Sequence, residues 1–130
     1  MILDSSAVMA ILLSEPDASR YALAIATAKG RAISAANWFE AAIIADRRGN
    51  AVAREAFEPF FETFAVEVAP VTAELARRAR AAYRAFGKGN HPAALNYGDC
   101  FAYALARQRG DTLLFKGDDF SQTDIASALG

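Results

Sequence analysis

The sequence predicts an α/β fold, a three-layer sandwich of helices around a mainly parallel sheet of four or five strands, with residues 1–130 forming a single domain. Short apolar runs at 1–4, 31–35, 66–69 and 112–115 alternate with longer stretches of helical periodicity. No internal repeat, low-complexity run or Ser/Gly linker divides the chain. At 130 residues and 54% hydrophobic, the chain can also bury a core without a structural metal or disulfide.

The elements follow in order. Residues 1–4 read as a buried first strand ending in the carboxylate of Asp4. Ser5 or Ser6 is placed to cap a helix through Leu13, and Pro16 to open a second that runs to Lys29 and stops at Gly30. Residues 31–35 form the second strand, and Asn37 caps a third helix ending near Gly49. A fourth helix over 51–65 must be kinked or restarted at Pro59. Residues 66–69 are the third strand. From Thr72 to Phe86 a helical pattern puts Leu75, Ala79, Ala82 and Phe86 on one face. The loop 87–92 is set by Gly, Asn and Pro. Asn96 caps a helix over 97–109 that Gly110 ends, and 112–115 is the last strand.

Fourteen basic and 15 acidic residues leave a net charge of −1, which excludes a strongly basic nucleic-acid binder and makes any polyanion site local. Arg supplies most of the basic residues, a bias that suits phosphate and carboxylate forks and that a GC-rich genome also produces. A single cysteine, Cys100, forbids an internal disulfide and fits a reducing compartment. The apolar run at the start has no basic residue ahead of it and carries Asp4, the opposite of a signal peptide. With no membrane-length apolar stretch, a cytoplasmic location is expected.

Ligand sites of open parallel sheets lie beyond the carboxyl ends of the strands. Asp4 ends the first strand, Glu40 is expected in the first turn of the helix after the second, Asp99 lies in the first turn of its helix, and Asp118 and Asp119 follow the last strand. Each has a structural explanation. Asn37-x-x-Glu40 and Asn96-x-x-Asp99 have capping-box spacing, and Asp4, Asp118 and Asp119 can be simple caps. Jointly, however, they would gather like charges on one rim next to the sheet, at a cost that a cation would offset. Hard carboxylate oxygens without nearby His or Cys select Mg²⁺ or Mn²⁺ over Zn²⁺. Such a centre suits metal-assisted phosphodiester hydrolysis, in which the ion acidifies water and stabilises the attacking and leaving oxygens. His91 falls in a loop, and Cys100 reads as a small buried hydrophobe.

The order and spacing of Asp4, Glu40, Asp99 and Asp118/Asp119 resembles that of the PIN-domain ribonucleases. More narrowly, MILDSSAVMAILLSEPDA and LNYGDCFAYALARQRGDTLLFKGDDFSQTDI are similar to VapC-type toxins of toxin–antitoxin pairs, and the resemblance extends from Ile2 to about Ile125. It implies a PIN fold, a Mg²⁺-dependent endoribonuclease (Mn²⁺ as a substitute), a homodimer and inhibition by a VapB-type antitoxin. It also implies site residues: Asp4 and Asp99 as direct metal ligands, Glu40 orienting or deprotonating the water, and Ser6 as the small hydroxyl residue that supports the first acid. Asp119 ranks ahead of Asp118 as the fourth acid, with Asp118 kept as a direct or supporting ligand.

Arg77, Arg80, Arg84 and Lys88 recur on the face opposite the apolar one, as a solvated surface or as a track for RNA phosphates. Phe57, Phe60, Phe61 and Phe64 read first as core, with a partner groove as the second reading. Lys116 after the last strand raises the alternative of a phosphoacceptor receiver domain, but Asp4 is followed by two serines where that fold needs an acidic pair, and residues 66–69 end without an Asp. The same serines exclude an Asp-x-Asp phosphatase. A non-catalytic PIN-like adaptor has no reason to retain the full carboxylate set. Setting aside Asp4, Glu40, Asp99 and Asp119 leaves 11 acidic against 14 basic residues, so a cation-loaded pocket would sit in a mildly basic surround.

Overall fold

The computed structural model describes residues 1–48 and 50–130. Four strands, β1 (Ile2–Leu3), β2 (Ala32–Ser34), β3 (Glu67–Ala69) and β4 (Leu113–Leu114), pair in the order β3-β2-β1-β4, and every pairing is parallel. The helices are α1 (Ser5–Leu12), α2 (Ala18–Thr27), α3 (Ala35–Arg48), α4 (Ala51–Thr63), α5 (Ala73–Phe86) and α6 (Tyr97–Arg109). A 3₁₀ turn at Phe120–Gln122 follows β4.

Strand alternation divides the core into two layers. Ile2, Ala32, Ala69 and Leu113 face one side, where they pack with Leu75, Ala79 and Ala82 of α5 and with Phe101, Leu105 and neighbouring residues of α6. Leu3, Ile33 and Leu114 face the other, packing with α1, Tyr21 and Ile25 of α2, Ala41 and Ala45 of α3, and Phe57, Phe60 and Phe61 of α4. The chain is therefore the expected α/β/α sandwich, with the sheet at the lower of the two strand numbers. Burial on both faces is why β1, β2 and β4 read as apolar runs instead of alternating ones, whereas the edge strand β3 leaves Glu67 and Val68 exposed.

Several local expectations are corrected. The α1 cap is Asp4, not Ser5 or Ser6, because its carboxylate accepts from the Ser6 amide. α2 starts at Ala18 and not at Pro16, and the Asp17 carboxylate turns away to Lys116 instead of capping. That helix ends at Thr27, where the Arg31 guanidinium takes the carbonyls of Ile25, Ala26 and Ala28. Asn37 does not cap α3. The helix begins two residues earlier, with Ser34 Oγ accepting from the Ala36 amide, and this puts Glu40 in the second turn. The end expected near Gly49 lies outside the described residues. Pro59 sits inside a continuous α4, where it and Glu55, whose carbonyl loses its helical donor, both face solvent. Thr72 caps α5, and Asn96 with Asp99 forms a full capping box on α6, which ends at a left-handed Gly110.

The core reading of the phenylalanines holds for three of the four, Phe64 being half-buried. Phe57, Phe60 and Phe61 are buried, and Phe57 and Phe61 stack around Trp38. The basic stripe is shorter than its spacing implied, since α5 stops at Phe86 and Lys88 belongs to the following loop.

Candidate active site

The strand order reverses direction between β1 and β4, the position at which open α/β sheets form a crevice. A cleft of about 330 Å³ opens there, lined by Asp4, Ser5, Ser6, Glu15, Glu40, Arg48, Asn96, Asp99, Lys116 and Asp119. Four of the predicted acids, Asp4, Glu40, Asp99 and Asp119, thus share one cleft, supplied by the end of β1, by α3, by the start of α6 and by the turn after β4. Asp118 is exposed and is not part of the lining.

Asp4 is held where an apolar strand meets a helix, only 3% exposed. Its amide donates to the Leu114 carbonyl at 2.9 Å, fixing it between β1 and β4. Asp4 Oδ2 accepts from the Ser6 hydroxyl at 2.5 Å and from the Ser6 amide at 3.0 Å. Ser6 Oγ in turn accepts from the Lys116 amide at 2.9 Å, so the loop after β4 and the first acid are coupled through one hydroxyl. Among the described residues, Asp4 Oδ1 is buried with no hydrogen-bond partner. Burial pushes the Asp4 carboxyl up to about 6, opposed by its bonds to Ser6 and reinforced by the nearby Glu40 charge.

Asp99 does two jobs at the start of α6. Its Oδ2 accepts from the Asn96 amide at 3.0 Å, closing the capping box, while the half-buried carboxylate faces the cleft. Desolvation pushes its carboxyl up to about 7; the Asn96 bond opposes this, and the charges of Asp4, Asp119 and Glu40 add to it. Asn96-x-x-Asp99 is therefore a capping box, and the same Asp99 side chain also lines the cleft with the other acids.

Glu40 is held by a contact absent from the sequence expectations: the Ser5 hydroxyl donates to its Oε1 at 2.6 Å. Asn37, one turn earlier on the same helix, is fully buried and donates its Nδ2 to the Gly98 carbonyl at 2.9 Å, docking α3 on the first turn of α6. Arg48 also faces the cleft. Its signal was the spacing Glu40, Ile44, Arg48, a single stripe along α3 whose members all line the cleft. Asn37 and Gly98 had no comparable signal, being 61 residues apart in sequence.

The Lys116 ammonium binds Glu15 at 2.5 Å and Asp17 at 3.0 Å, so its charge is committed to that pair. His91 accepts from the Ala93 amide within its loop, and Cys100 is buried with its thiol pushed up to about 11. Neither joins the cleft lining. Among the described residues, no three His, Cys, Asp or Glu side chains are gathered tightly enough to form a ready-made metal-ligand group. Burial is the main reason the Asp4 and Asp99 carboxyls are raised, and the charges of the neighbouring acids add to it. The donors nevertheless fit a hard divalent cation: all are oxygens, and one of them, Asp4 Oδ1, is buried without a proton donor.

On α5, Arg77, Arg80 and Arg84 line a separate shallow hollow with Ala81 and Ala85. Arg78, on the other side of that helix, is paired with Glu74, whereas these three make no ion pair among the described residues. No helix among the described residues is long and apolar enough to cross a membrane.

Residues 1–126 match the PIN domain family. The chain is 48% identical over 130 residues to Ribonuclease VapC28 of Mycobacterium tuberculosis, covering 99% of this chain and 98% of that protein. It is 43% identical over 127 residues to Ribonuclease VapC of Mycolicibacterium smegmatis, with 98% of each chain covered. Among solved structures, that of Mycobacterium tuberculosis VapC20, described as a sarcin–ricin loop cleaving toxin, superposes with a TM-score of 0.78 at 19% identity, over 96% of this chain and 95% of that one. That likeness concerns the fold.

Proposed function

The chain belongs to the PIN-domain family, among its VapC ribonucleases, and from that premise we propose that the β1/β4 cleft is its nuclease centre. In this reading it cleaves RNA phosphodiester bonds as the toxin of a toxin–antitoxin pair. The observation that carries the assignment is Asp4: buried, its Oδ2 held by Ser6, its Oδ1 without a partner, in a cleft shared with Glu40, Asp99 and Asp119.

Ribonucleases of this family are metal-dependent, and the all-oxygen donor set favours Mg²⁺, with Mn²⁺ as a substitute. Asp4 and Asp99 would hold the ion directly, and Asp119 would complete the site. Asp118, outside the cleft lining, has the weaker case. When bound, a divalent cation supplies Lewis acidity to the attacking water and to the phosphodiester. Glu40, oriented by Ser5, takes the role of base toward that water. Ser6 keeps Asp4 in one rotamer, and Arg48 offers a donor fork to a phosphate oxygen at the edge of the acidic group. The unpaired Arg77, Arg80 and Arg84, with Lys88 beyond the helix end, supply a phosphate track for the rest of the RNA.

Two protein partners belong to the proposal, a VapB-type antitoxin and a second copy of the chain, both acting in the cytoplasm. Large apolar side chains left in solvent support such contacts: Phe39 is 61%, Val52 73% and Tyr97 79% exposed. Light scattering of the isolated protein tests the dimer, with a monomer mass at micromolar concentration as the contrary result. The metal assignment is tested by removing divalent ions and restoring them singly. Cleavage should return with Mg²⁺ or Mn²⁺; return with Zn²⁺ alone would overturn it.

A further inference from the structure

Gly98 occupies the second position of α6, between Tyr97 and Asp99. Its backbone does not explain the glycine, for it is not among the residues with positive φ, and Ala is the better helix former. Space explains it. A Cβ added at Gly98 would overlap Glu40 Oε2 and come within 2.7 Å of both Glu40 Cδ and Oε1. The Glu40 carboxylate therefore occupies the volume that a side chain would fill. It is held there by the Ser5 hydroxyl at 2.6 Å, while Asn37 clamps the Gly98 carbonyl to the same helix face that carries Glu40.

We infer that Gly98 is a positioning residue for the reaction: its missing side chain seats the Glu40 carboxylate against the first turn of α6, one residue from Asp99. This rests on the role proposed above for Glu40. The overlap involves only the end of a flexible side chain, so an added methyl group would displace the carboxylate without disturbing the backbone. A carboxylate moved by even an ångström loses its alignment with the water it serves. The substitution should thus separate catalysis from folding, since one improves a helix and the other loses its base.

The test is a cycle of wild type, Gly98→Ala, Glu40→Ala and the double variant, with RNA cleavage followed at excess enzyme so that residual rates are measurable. Gly98→Ala is expected to keep or raise the Tm and to lower kcat roughly tenfold to a hundredfold with KM little changed. In the Glu40→Ala background the same substitution should cost nothing further, because the group it displaces is already gone. Wild-type kcat in Gly98→Ala overturns the inference, as does an equal loss in both backgrounds, which would make Gly98 a packing residue. Full activity in Glu40→Ala would remove the role of Glu40 itself. An inactive Glu40→Ala beside an active Gly98→Ala removes only the seat.

Discussion

The Ser6 hydroxyl donates to Asp4 Oδ2 at 2.5 Å, and the other oxygen of that carboxylate is buried with no donor among the described residues. One half of the group is satisfied by protein and the other half is left without a donor in a residue that lines the acidic cleft, which is the arrangement a cation-binding carboxylate needs and a mere helix cap does not. Removing the hydroxyl tests the satisfied half. Ser6→Ala takes away a bond to a buried charge and leaves the Lys116 amide without its acceptor. A loss of about 1–3 kcal/mol in unfolding free energy is expected, along with weaker Mg²⁺ binding by calorimetry. Unchanged stability and metal affinity together would remove Ser6 from the site.

Protonation gives a second test. Burial raises Asp4 to about 6 and Asp99 to about 7, from an ordinary value of 3.8. Between those values the folded protein holds protons that the unfolded chain has released, so stability is fully present below the unfolded value and is lost as pH rises through 6 and 7. Asp17, Glu67 and Asp111, held low by Lys116, Arg109 and the chain's amino terminus, act in the opposite sense, but only at more acidic pH. The Tm in chelator should therefore fall from about pH 5 to about pH 8, and added Mg²⁺ should raise it most at the alkaline end, where the carboxylates are ionised. A Tm in chelator that rises across that range would contradict the electrostatics of the cleft.

Neutralising the buried acid removes its desolvation and repulsion together. Asp4→Asn can still accept from Ser6 through its carbonyl oxygen, so it is expected to fold with a Tm at or above that of metal-free wild type. It should also lose the Mg²⁺-induced rise in Tm. Scanning calorimetry with and without the ion checks both parts, and a wild-type Mg²⁺ response in Asp4→Asn would exclude it as a ligand.

The arginines of α5 are separable from the chemistry. Replacing Arg80 and Arg84 by Ala should weaken RNA binding and make its salt dependence shallower by up to about two phosphate contacts, while leaving kcat at saturating RNA near wild type. Filter binding across a salt series measures this, and an unchanged slope removes the track.

The acids were legible because strand ends are legible. A short apolar run that stops in Asp4, or a capping box that supplies Asp99, places a carboxylate on the rim of the sheet whatever the tertiary detail. The misreadings arose where a long-range partner outweighed a local motif. Asn37-x-x-Glu40 has capping-box spacing, but Asn37 is drawn into the interior to hold Gly98, and Glu40 turns to Ser5 instead of back to a cap amide. Asp17 follows a helix-opening proline, but it is recruited by Lys116, a residue 99 positions away. Local propensity is a weak prior beside such contacts. The phenylalanines of α4 were ambiguous for another reason: periodicity shows which face is apolar, not whether another element of the chain, here Trp38, already covers it.

If RNA is cut in the β1/β4 cleft, the ends of RNA treated in Mg²⁺ with purified wild type must differ from those left by Asp99→Asn. Mapping should show discrete new ends with wild type and none above background with the variant, whose fold is verified by an intact thermal transition. The same ends, produced by folded Asp99→Asn at the wild-type rate, would contradict cleavage in that cleft.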